Sequence, residues 1–150
     1  MLKAKVEYKI QNATEQQIDL HLRGCSENFI PPLATRLDIK NYSRKIFDKA
    51  VTFEAWSDNI LVGLIAAYFN DYENKKAFIT NVSVLKKFMG LGIARKLLDC
   101  CIQYAKQKKT DMIILEVNRN NEAAIALYKK FHFTESDTKD EMVIMKAGLT

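Results

Sequence analysis

Two glycines near the start of a basic segment have a spacing that suggests an anion-binding turn. Gly90 and Gly92 follow a β-branched stretch and precede an apolar stretch of helical period that begins at Ala94. Such a turn lets a ligand approach the backbone and leaves the first helical N–H groups free to bind an anion. The spacing also fits an ordinary strand-to-helix turn. It lacks the third glycine or alanine of a dinucleotide-binding fingerprint, because Arg95 stands there.

Positive charge is concentrated around this turn. Residues 86–109 contain seven basic side chains and a single acidic one, Asp99, whereas the whole chain carries a formal charge of +5. The basic residues lie beside a glycine turn and not along a basic tail with interleaved aromatic residues. The pattern therefore predicts an anionic small ligand and no nucleic-acid partner.

A second pair of residues could transfer protons. Glu116 lies in an apolar run of strand length, and Tyr128 follows twelve residues later on a segment of helical period. A strand, a turn and a returning helix can bring two such side chains to one edge of a sheet. There the carboxylate could accept a proton and the phenol could donate one. The residue types alone also fit a solvated glutamate and a core tyrosine.

Hydrophobic periodicity predicts the elements that position these residues, in the order β-α-α-β-β-β-α-β-α-β-β. This order predicts an α+β domain with one mixed sheet of about seven strands and about four helices. The predicted strands span residues 5–11, 51–56, 60–69, 76–85, 111–117, 133–135 and 141–146. The predicted helices span residues 14–25, 37–49, 94–105 and 120–131.

The first helix begins at a capping box formed by Thr14 and Gln17. It carries His21, which we expect to face solvent, with contact to a substrate as the alternative. Two prolines make residues 27–35 a loop, whose apolar side chains could line a pocket or cover the core. The apolar face of the second helix is predicted to consist of Ile39, Tyr42, Ile46 and Phe47.

Composition indicates one globular domain spanning residues 1–150, with 48% hydrophobic and 27% charged residues. No apolar run approaches the roughly 20 residues of a membrane span, and residues 1–6 lack the apolar core of a signal peptide. The three cysteines include an adjacent pair, and no C-x-x-C spacing occurs. These features predict a cytoplasmic protein without a metal site or a membrane partner.

Two motifs resemble those of the GNAT acetyltransferase superfamily. Residues 115–117 and 120–133 resemble the signature L-E-V…N-x-x-A-x-x-L-Y-x-x-x-G-F, most closely as it stands in the enzymes that acetylate the N-terminal alanine of a ribosomal protein. Residues 84–98 resemble the acetyl-CoA motif V-x-P-x-x-[QR]-G-x-G-[IV]-[GA]-x-x-L-L. The resemblance covers about residues 51–146, and the first fifty residues match only in their strand-helix-helix layout.

The resemblance implies a GNAT-like fold, whose mostly antiparallel sheet splays between its fourth and fifth strands. It also implies acetyl-CoA as the co-substrate, a primary amine as the acceptor and direct acetyl transfer. Glu116 is then the expected base, Tyr128 the acid that protonates the departing thiolate, and the N–H of Val84 a donor to the thioester carbonyl. Pantetheine is expected alongside residues 82–84, with a hydrogen bond from Asn121. The residues expected to bind acetyl-CoA are Val82, Ser83, Val84, Met89, Gly90, Leu91, Gly92, Ile93, Ala94, Arg95 and Asn121.

Three positions depart from the family pattern. Met89 replaces a glutamine or arginine and so removes one side-chain donor to phosphate, for which Lys86, Lys87 or Arg95 could compensate. Lys86 itself replaces a proline, which affects the rigidity of the turn. His132 replaces a glycine, and histidine is among the better-tolerated residue types in a left-handed conformation.

Three functions are compatible with the sequence. The first is acetylation of a small-molecule amine, for example an amino sugar or a sugar nucleotide, because residues 27–70 resemble acetyltransferases of glycan loci. The second is N-terminal acetylation of a peptide, and the third is CoA binding without catalysis. We expect the acceptor site to be built from residues 25–35, Tyr42 and the turn at residues 137–140, in a monomer or a homodimer.

Overall fold

A seven-stranded sheet, in the order β1-β2-β3-β4-β5-β7-β6 along its width, forms the centre of the molecule. The computed structural model describes residues 5–149. The prediction that residues 1–6 are not a signal peptide therefore lies mostly outside the described residues. The strands are β1 (Glu7–Ile10), β2 (Val51–Ser57), β3 (Ile60–Asp71), β4 (Lys76–Val84), β5 (Met112–Asn118), β6 (Thr134–Lys139) and β7 (Met142–Gly148). The helices are α1 (Glu15–Cys25), α2 (Ile39–Lys49), α3 (Ile93–Gln107) and α4 (Glu122–Lys130). The predicted fold class and the order of the elements are confirmed.

The pairing of β4 with β5 creates the splay that the resemblance implies. These two strands are parallel, and every other neighbouring pair in the sheet is antiparallel. Their ladder extends from the pair Lys76–Met112 to the pair Ile79–Leu115 and ends there. Both strands continue beyond that point, so the last part of β4 has a partner on one edge only.

A β-bulge lies where β4 leaves β5. Successive residues of β3 are opposite Asn81 and Ile79, so Thr80 between them is an extra residue on β4. A bulge bends its strand and increases the local twist. The carbonyl oxygen of Thr80 accepts a hydrogen bond of 2.7 Å from the hydroxyl group of Tyr42. The bulge and this bond from α2 together account for the divergence of the two strands.

Helices cover both faces of the sheet. In β3, Ile65 belongs to a core that includes α3 and Tyr128, whereas its neighbour Leu64 belongs to a second core with α1 and α2. This alternation is the two-residue period of a strand buried on both faces. The open edge of β4 therefore lies between two packed layers that hold it in place.

A buried carboxylate fastens the beginning of α1 to the sheet. Glu54 on β2 is completely buried and accepts hydrogen bonds from the backbone N–H groups of Asn12 and Ala13, both at 3.0 Å. It also accepts bonds from the Thr52 hydroxyl at 2.6 Å and the Trp56 indole at 2.9 Å. The segment tied down in this way leads directly into the predicted capping box, which is present. Glu54 therefore determines where α1 begins on the sheet.

Two predictions about helix faces are wrong. Phe47 was expected in the apolar face of α2 but is 49% exposed, and the buried residues of that helix are Ile39, Ser43 and Ile46. In α3 the buried face starts at Ile93, because Ala94 is only half-buried. Ser43 is buried although it is polar, so a search for apolar periodicity does not reveal it.

The strands at the two sheet edges differ most from their predicted bounds. β1 begins two residues later than expected, and its apolar side chains Tyr8 and Ile10 are 36% and 45% exposed. β6 extends to Lys139 although all its residues are exposed, so its sequence carries no burial pattern to detect. His132, which precedes β6, has φ of 70°. It therefore adopts the left-handed conformation that the family's glycine has at this position.

We predict that Glu54→Gln lowers the free energy of unfolding by roughly 2–4 kcal/mol, because an amide NH₂ group would face donors that now bind a carboxylate oxygen. Urea denaturation followed by circular dichroism measures the change. Glu73→Gln is the matched control, since Glu73 is exposed in a turn and its substitution should change stability by no more than about 0.5 kcal/mol. Equal effects of the two substitutions would contradict the role of Glu54.

Candidate active site

Two cavities meet at Tyr128 beside the splay. The larger, the donor cavity, has a volume of about 640 Å³ and lies along the free edge of β4, the glycine turn and α4. The smaller, the acceptor cavity, has a volume of about 270 Å³ and lies between the loop before α2 and the ends of β4 and β5. Four residues line both cavities: Phe29, Val82, Asn121 and Tyr128. A ligand in either cavity can therefore reach the same point.

The glycine turn presents unpaired backbone donors to the donor cavity. Gly90 and Gly92 have φ of 80° and 79°, values that L-residues with a side chain rarely adopt. A Cβ atom at either position would have no neighbour within 4 Å. Gly92 is the N-cap of α3 and supplies no side-chain cap, and the first turn contains no acidic residue. The first N–H groups of the helix are thus available to an anion, as the spacing predicted.

The free edge of β4 offers a second row of backbone groups. The N–H of Leu85 donates to the carbonyl oxygen of Val62 on β3 at 2.9 Å. Because N–H groups alternate in direction along a strand, those of Val84 and Val82 point away from β3, towards the splay. An extended ligand with amide groups fits such an edge as an added strand would. These residues therefore fit the pantetheine arm that the resemblance implies.

Ten of the eleven residues expected to bind acetyl-CoA line the donor cavity. The exception is Leu91, which is 59% exposed and does not line the cavity. Asn121 is the N-cap of α4, and its side-chain oxygen accepts a bond of 3.2 Å from the N–H of Ala124. This bond orients the side chain and leaves its NH₂ group as the free donor.

Glu116 and Tyr128 lie on the walls of the acceptor cavity, as the strand-turn-helix argument predicted. Glu116 is exposed on β5. Tyr128 is 6% exposed, and its hydroxyl group makes no hydrogen bond to another residue within 5–149. Burial raises the pKa of Tyr128, so the phenol is protonated at neutral pH. A phenol in that state can donate a proton but cannot act as a base.

His21 does not face solvent, so this prediction is wrong. It is 3% exposed, and its Nδ1–H donates to the carbonyl oxygen of Leu61 at 2.8 Å. The Ser83 hydroxyl donates to its Nε2 at 2.9 Å, and the amide of Asn81 donates to that hydroxyl at 2.9 Å. His21 thus links α1 to β3 and to the strand that lines the donor cavity. The sequence around His21 does not reveal its burial, because its partners Leu61 and Ser83 are 40 and 62 residues away in the chain.

The cysteines offer no nucleophile to the site. All three are free, and Cys25 lines the donor cavity close to Ser83. Burial raises the pKa of Cys25 to about 12 and that of Cys101 to about 12. Both therefore remain thiols at neutral pH, whereas the reactive species is the thiolate.

Neither a metal cluster nor a membrane helix occurs within residues 5–149. This part of the chain contains no group of three or more His, Cys, Asp or Glu side chains that could hold a metal ion. None of its helices has the length and apolar character needed to cross a bilayer.

The positive charge expected around the glycine turn is divided between the two ends of α3. This helix of 15 residues has a length of roughly 22 Å at about 1.5 Å per residue. Arg95 and Lys96 lie in its first turn, and Arg95 lines the donor cavity. The lysines after Ala105 lie at the far end, beside a separate cavity of about 440 Å³. That cavity is lined by Lys49, Lys75, Lys76, Lys108 and Lys109, among others.

The acceptor cavity contains residues that the sequence did not single out. Arg36 and Thr80 line it beside Tyr42 and the loop residues Phe29, Ile30 and Leu33. Residues 137–140, which we expected there, line neither cavity. The proline pair before Leu33 marks the loop in the sequence, but the direction in which its side chains point depends on the packing of α1 and α2.

The model of the acetyltransferase (GNAT) family matches residues 17–133. A spermine/spermidine N(1)-acetyltransferase of Bacillus subtilis is 31% identical over 136 residues, which cover 86% of this chain and 88% of that protein. A probable N-acetyltransferase, san, of Drosophila melanogaster is 33% identical over 89 residues, and the match spans 58% of this chain but only 48% of that protein.

Many solved structures share the fold, among them two N-acetyltransferases. The ribosomal-protein-S18-alanine N-acetyltransferase of Escherichia coli has a TM-score of 0.77 at 18% identity, over 96% of this chain and 95% of that one. The paia N-acetyltransferase of Thermoplasma acidophilum, in complex with coenzyme A, has a TM-score of 0.73 at 18% identity, over 95% and 99% of the two chains.

We predict that His21 makes stability depend on pH. Burial lowers its pKa from 6.5 to about 4, so between these values the unfolded chain binds a proton that the folded chain does not. The free energy of unfolding should therefore fall as the pH decreases through this window, by roughly 3 kcal/mol below both values. Urea denaturation at a series of pH values from 7 to 4 measures the change.

His21→Gln should lower stability at neutral pH and remove this part of the acid dependence. The matched control is His132→Asn, because His132 is exposed and is the only other histidine in the chain, and asparagine tolerates the φ of 70° at this position. Parallel pH curves for the wild type and His21→Gln would show that His21 does not titrate in this way.

Proposed function

The chain belongs to the GNAT acetyltransferase family, and on this basis we propose that it transfers an acetyl group from acetyl-CoA directly to a primary amine of a small molecule. The observation that carries the proposal is the meeting of the two cavities at Tyr128. An acyl donor and an amine must come together at one point, with a proton donor beside it. We further propose that residues 1–150 form a single acetyltransferase domain.

The donor cavity is assigned to acetyl-CoA, which would supply an acetyl group activated as a thioester. In this proposal the N–H groups at the start of α3 hold the pyrophosphate. The N–H groups of Val82 and Val84 hold the amide-containing arm, and the NH₂ group of Asn121 donates to it. Arg95 provides the side-chain cation that Met89 does not, because Arg95 lines the same cavity. Met89 is 49% exposed and contributes only apolar contact.

Glu116 and Tyr128 divide the proton transfers. The Glu116 carboxylate accepts a proton from the acceptor ammonium, which frees the nitrogen lone pair for attack on the acetyl carbon. The N–H of Val84 donates to the carbonyl oxygen as negative charge develops there. As the C–N bond forms and the C–S bond breaks, the phenol of Tyr128 gives its proton to the sulfur. The nitrogen, which becomes positively charged as it attacks, loses its second proton to the tyrosinate and so restores the phenol, and Glu116 releases the first proton to solvent. The buried thiols stay protonated, which supports direct transfer without an acetylated cysteine.

The size of the acceptor cavity favours a small acceptor. Its volume of about 270 Å³ is slightly below the range of roughly 300–1,000 Å³ that is usual for drug-sized ligands. An amino sugar is of suitable size, and a sugar nucleotide would extend out of the cavity. The apolar side chains of Phe29 and Phe78 provide flat walls for such a ring.

N-terminal acetylation of a peptide is the second candidate function. Glu116 is exposed at a cavity that opens to the surface, and the Escherichia coli structure with the same fold is an enzyme that acts on ribosomal protein S18. CoA binding without catalysis is the third, and the presence of both Glu116 and Tyr128 in the acceptor cavity speaks against it.

We predict that isothermal titration calorimetry detects binding of acetyl-CoA. We also predict that one class of amine acceptor causes release of the free thiol of CoA. The acceptor panel contains amino sugars, polyamines and short peptides with a free N-terminus. Turnover confined to peptides would favour the second function. Binding without turnover on any class would favour the non-catalytic function, and absence of binding would contradict the assignment of the donor cavity.

We predict that Tyr128→Phe lowers kcat by roughly 10²–10⁴-fold, the usual contribution of general acid catalysis, while acetyl-CoA still binds. Steady-state thiol release and calorimetry measure the two effects. Tyr104→Phe is the matched control, because Tyr104 is a half-buried tyrosine of α3 that lines neither cavity at the site. Unchanged turnover in Tyr128→Phe would leave Tyr128 with a packing role only.

The matched test of the base is Glu116→Gln, which keeps the volume of the side chain. This variant should shift the pH–rate profile of acetylation, because the carboxylate that accepts the proton is removed. A profile identical to that of the wild type would mean that another base or water accepts the proton.

A further inference from the structure

We infer that the acceptor is a primary amine that also carries an anionic group, and that Arg36 recognises this group. The inference rests on the proposed function and narrows its substrate class. Arg36 follows the short 3₁₀ turn Leu33–Thr35 and lines the acceptor cavity. Glu116, which lies on β5, lines the same cavity.

The guanidinium of Arg36 has no carboxylate partner within the described part of the chain. The ion pairs among residues 5–149 involve Lys5, Arg23 and Lys129. The Arg36 guanidinium carbon lies 5.8 Å from the centroid of the Phe29 ring, within the distance of a cation–π contact. That contact orients the planar group while leaving its N–H donors free. An arginine held in this way suits bidentate binding of a carboxylate or a phosphate.

The charges on the cavity wall select against a polycation. Among the described residues that line the acceptor cavity, Arg36 is the single cation and Glu116 the single carboxylate. One carboxylate is sufficient for one ammonium group, but a polyamine has further ammonium groups that Arg36 would repel. The balance of charge fits an acceptor with one amine and one acidic group. The polyamine specificity named for the Bacillus relative is therefore not expected here.

The other walls limit the rest of the acceptor. The apolar side chains of Phe29, Leu33, Leu37 and Phe78 also line the cavity, so a compact carbon skeleton or ring can pack there. With a volume of about 270 Å³, the cavity has room for one small unit. The substrate class is thus a small primary amine bearing a phosphate or a carboxylate, such as a phosphorylated amino sugar or an acidic amino-acid derivative.

Matched pairs of acceptors test the inference and distinguish the two anionic groups. The first pair is glucosamine 6-phosphate, which is acidic, and glucosamine, which lacks the phosphate. The second pair is aspartic acid α-amide, which has a carboxylate, and asparagine amide, which lacks it. Spermine serves as the polycation. KM and kcat are measured by thiol release at saturating acetyl-CoA. The wild type should show a KM at least about tenfold lower for the acidic member of one or both pairs, as expected for a charge-assisted hydrogen bond.

Arg36→Gln should raise the KM of that acidic acceptor by roughly 10–100-fold and change the KM of its neutral partner by less than about twofold. Arg36→Lys should restore part of the difference, because it keeps the charge but not the bidentate geometry. The control variant is Arg44→Gln, since Arg44 is an exposed arginine of α2 that lines neither cavity.

Three results would overturn the inference. These are equal KM values within both pairs, equal effects of Arg36→Gln and Arg44→Gln, and a lowest KM for spermine. If no acceptor releases thiol, the proposed function fails, and the same pairs are then titrated into the CoA-loaded protein by calorimetry. Binding of an acidic member that Arg36→Gln abolishes would still support the anionic subsite, whereas absent or Arg36-independent binding would refute it.

Discussion

The hydrogen bond from Tyr42 to the bulged residue Thr80 is the interaction on which the site depends. If β4 and β5 paired along their whole length, the N–H groups of Val82 and Val84 would bond to β5, and no cavity would exist between the strands. The bulge turns β4 away from β5 after Ile79. The Tyr42 hydroxyl donates a hydrogen bond of 2.7 Å to the carbonyl oxygen of Thr80. A strand edge that would be a liability elsewhere becomes a binding surface because helices on both faces enclose it.

Buried polar groups hold this edge in position. Glu54 ties the start of α1 to β2, and His21, one and a half turns further along α1, bonds to β3 and to Ser83 on β4. An unpaired polar group in such surroundings costs free energy, so these residues favour one placement of α1 over its alternatives. The same helix leads into the loop that carries Arg36. The position of the acceptor wall is thus coupled to that of the donor strand.

The two cavities differ in how their chemistry is encoded. The donor cavity presents backbone N–H groups at a glycine turn, and these groups do not depend on the side chain of Met89. The acceptor cavity uses side chains from a loop and from strand ends, which can change without affecting the fold. Such side chains allow proteins of one fold to bind different ligands.

The sequence by itself determined the order of the elements, the glycine turn, and the placement of Glu116 and Tyr128 at one cavity, because each follows from local periodicity or from a motif with fixed spacing. It also offered Asn120 or Asn121 as a helix cap, of which the structure has Asn121, and it raised a left-handed conformation at His132, which is present. Only the tertiary structure decided that His21 is buried, that Thr80 bulges, that the basic residues of α3 separate, and that Arg36 and Glu116 line one cavity. Each of these depends on contacts between residues far apart in the chain, and no local pattern records such contacts.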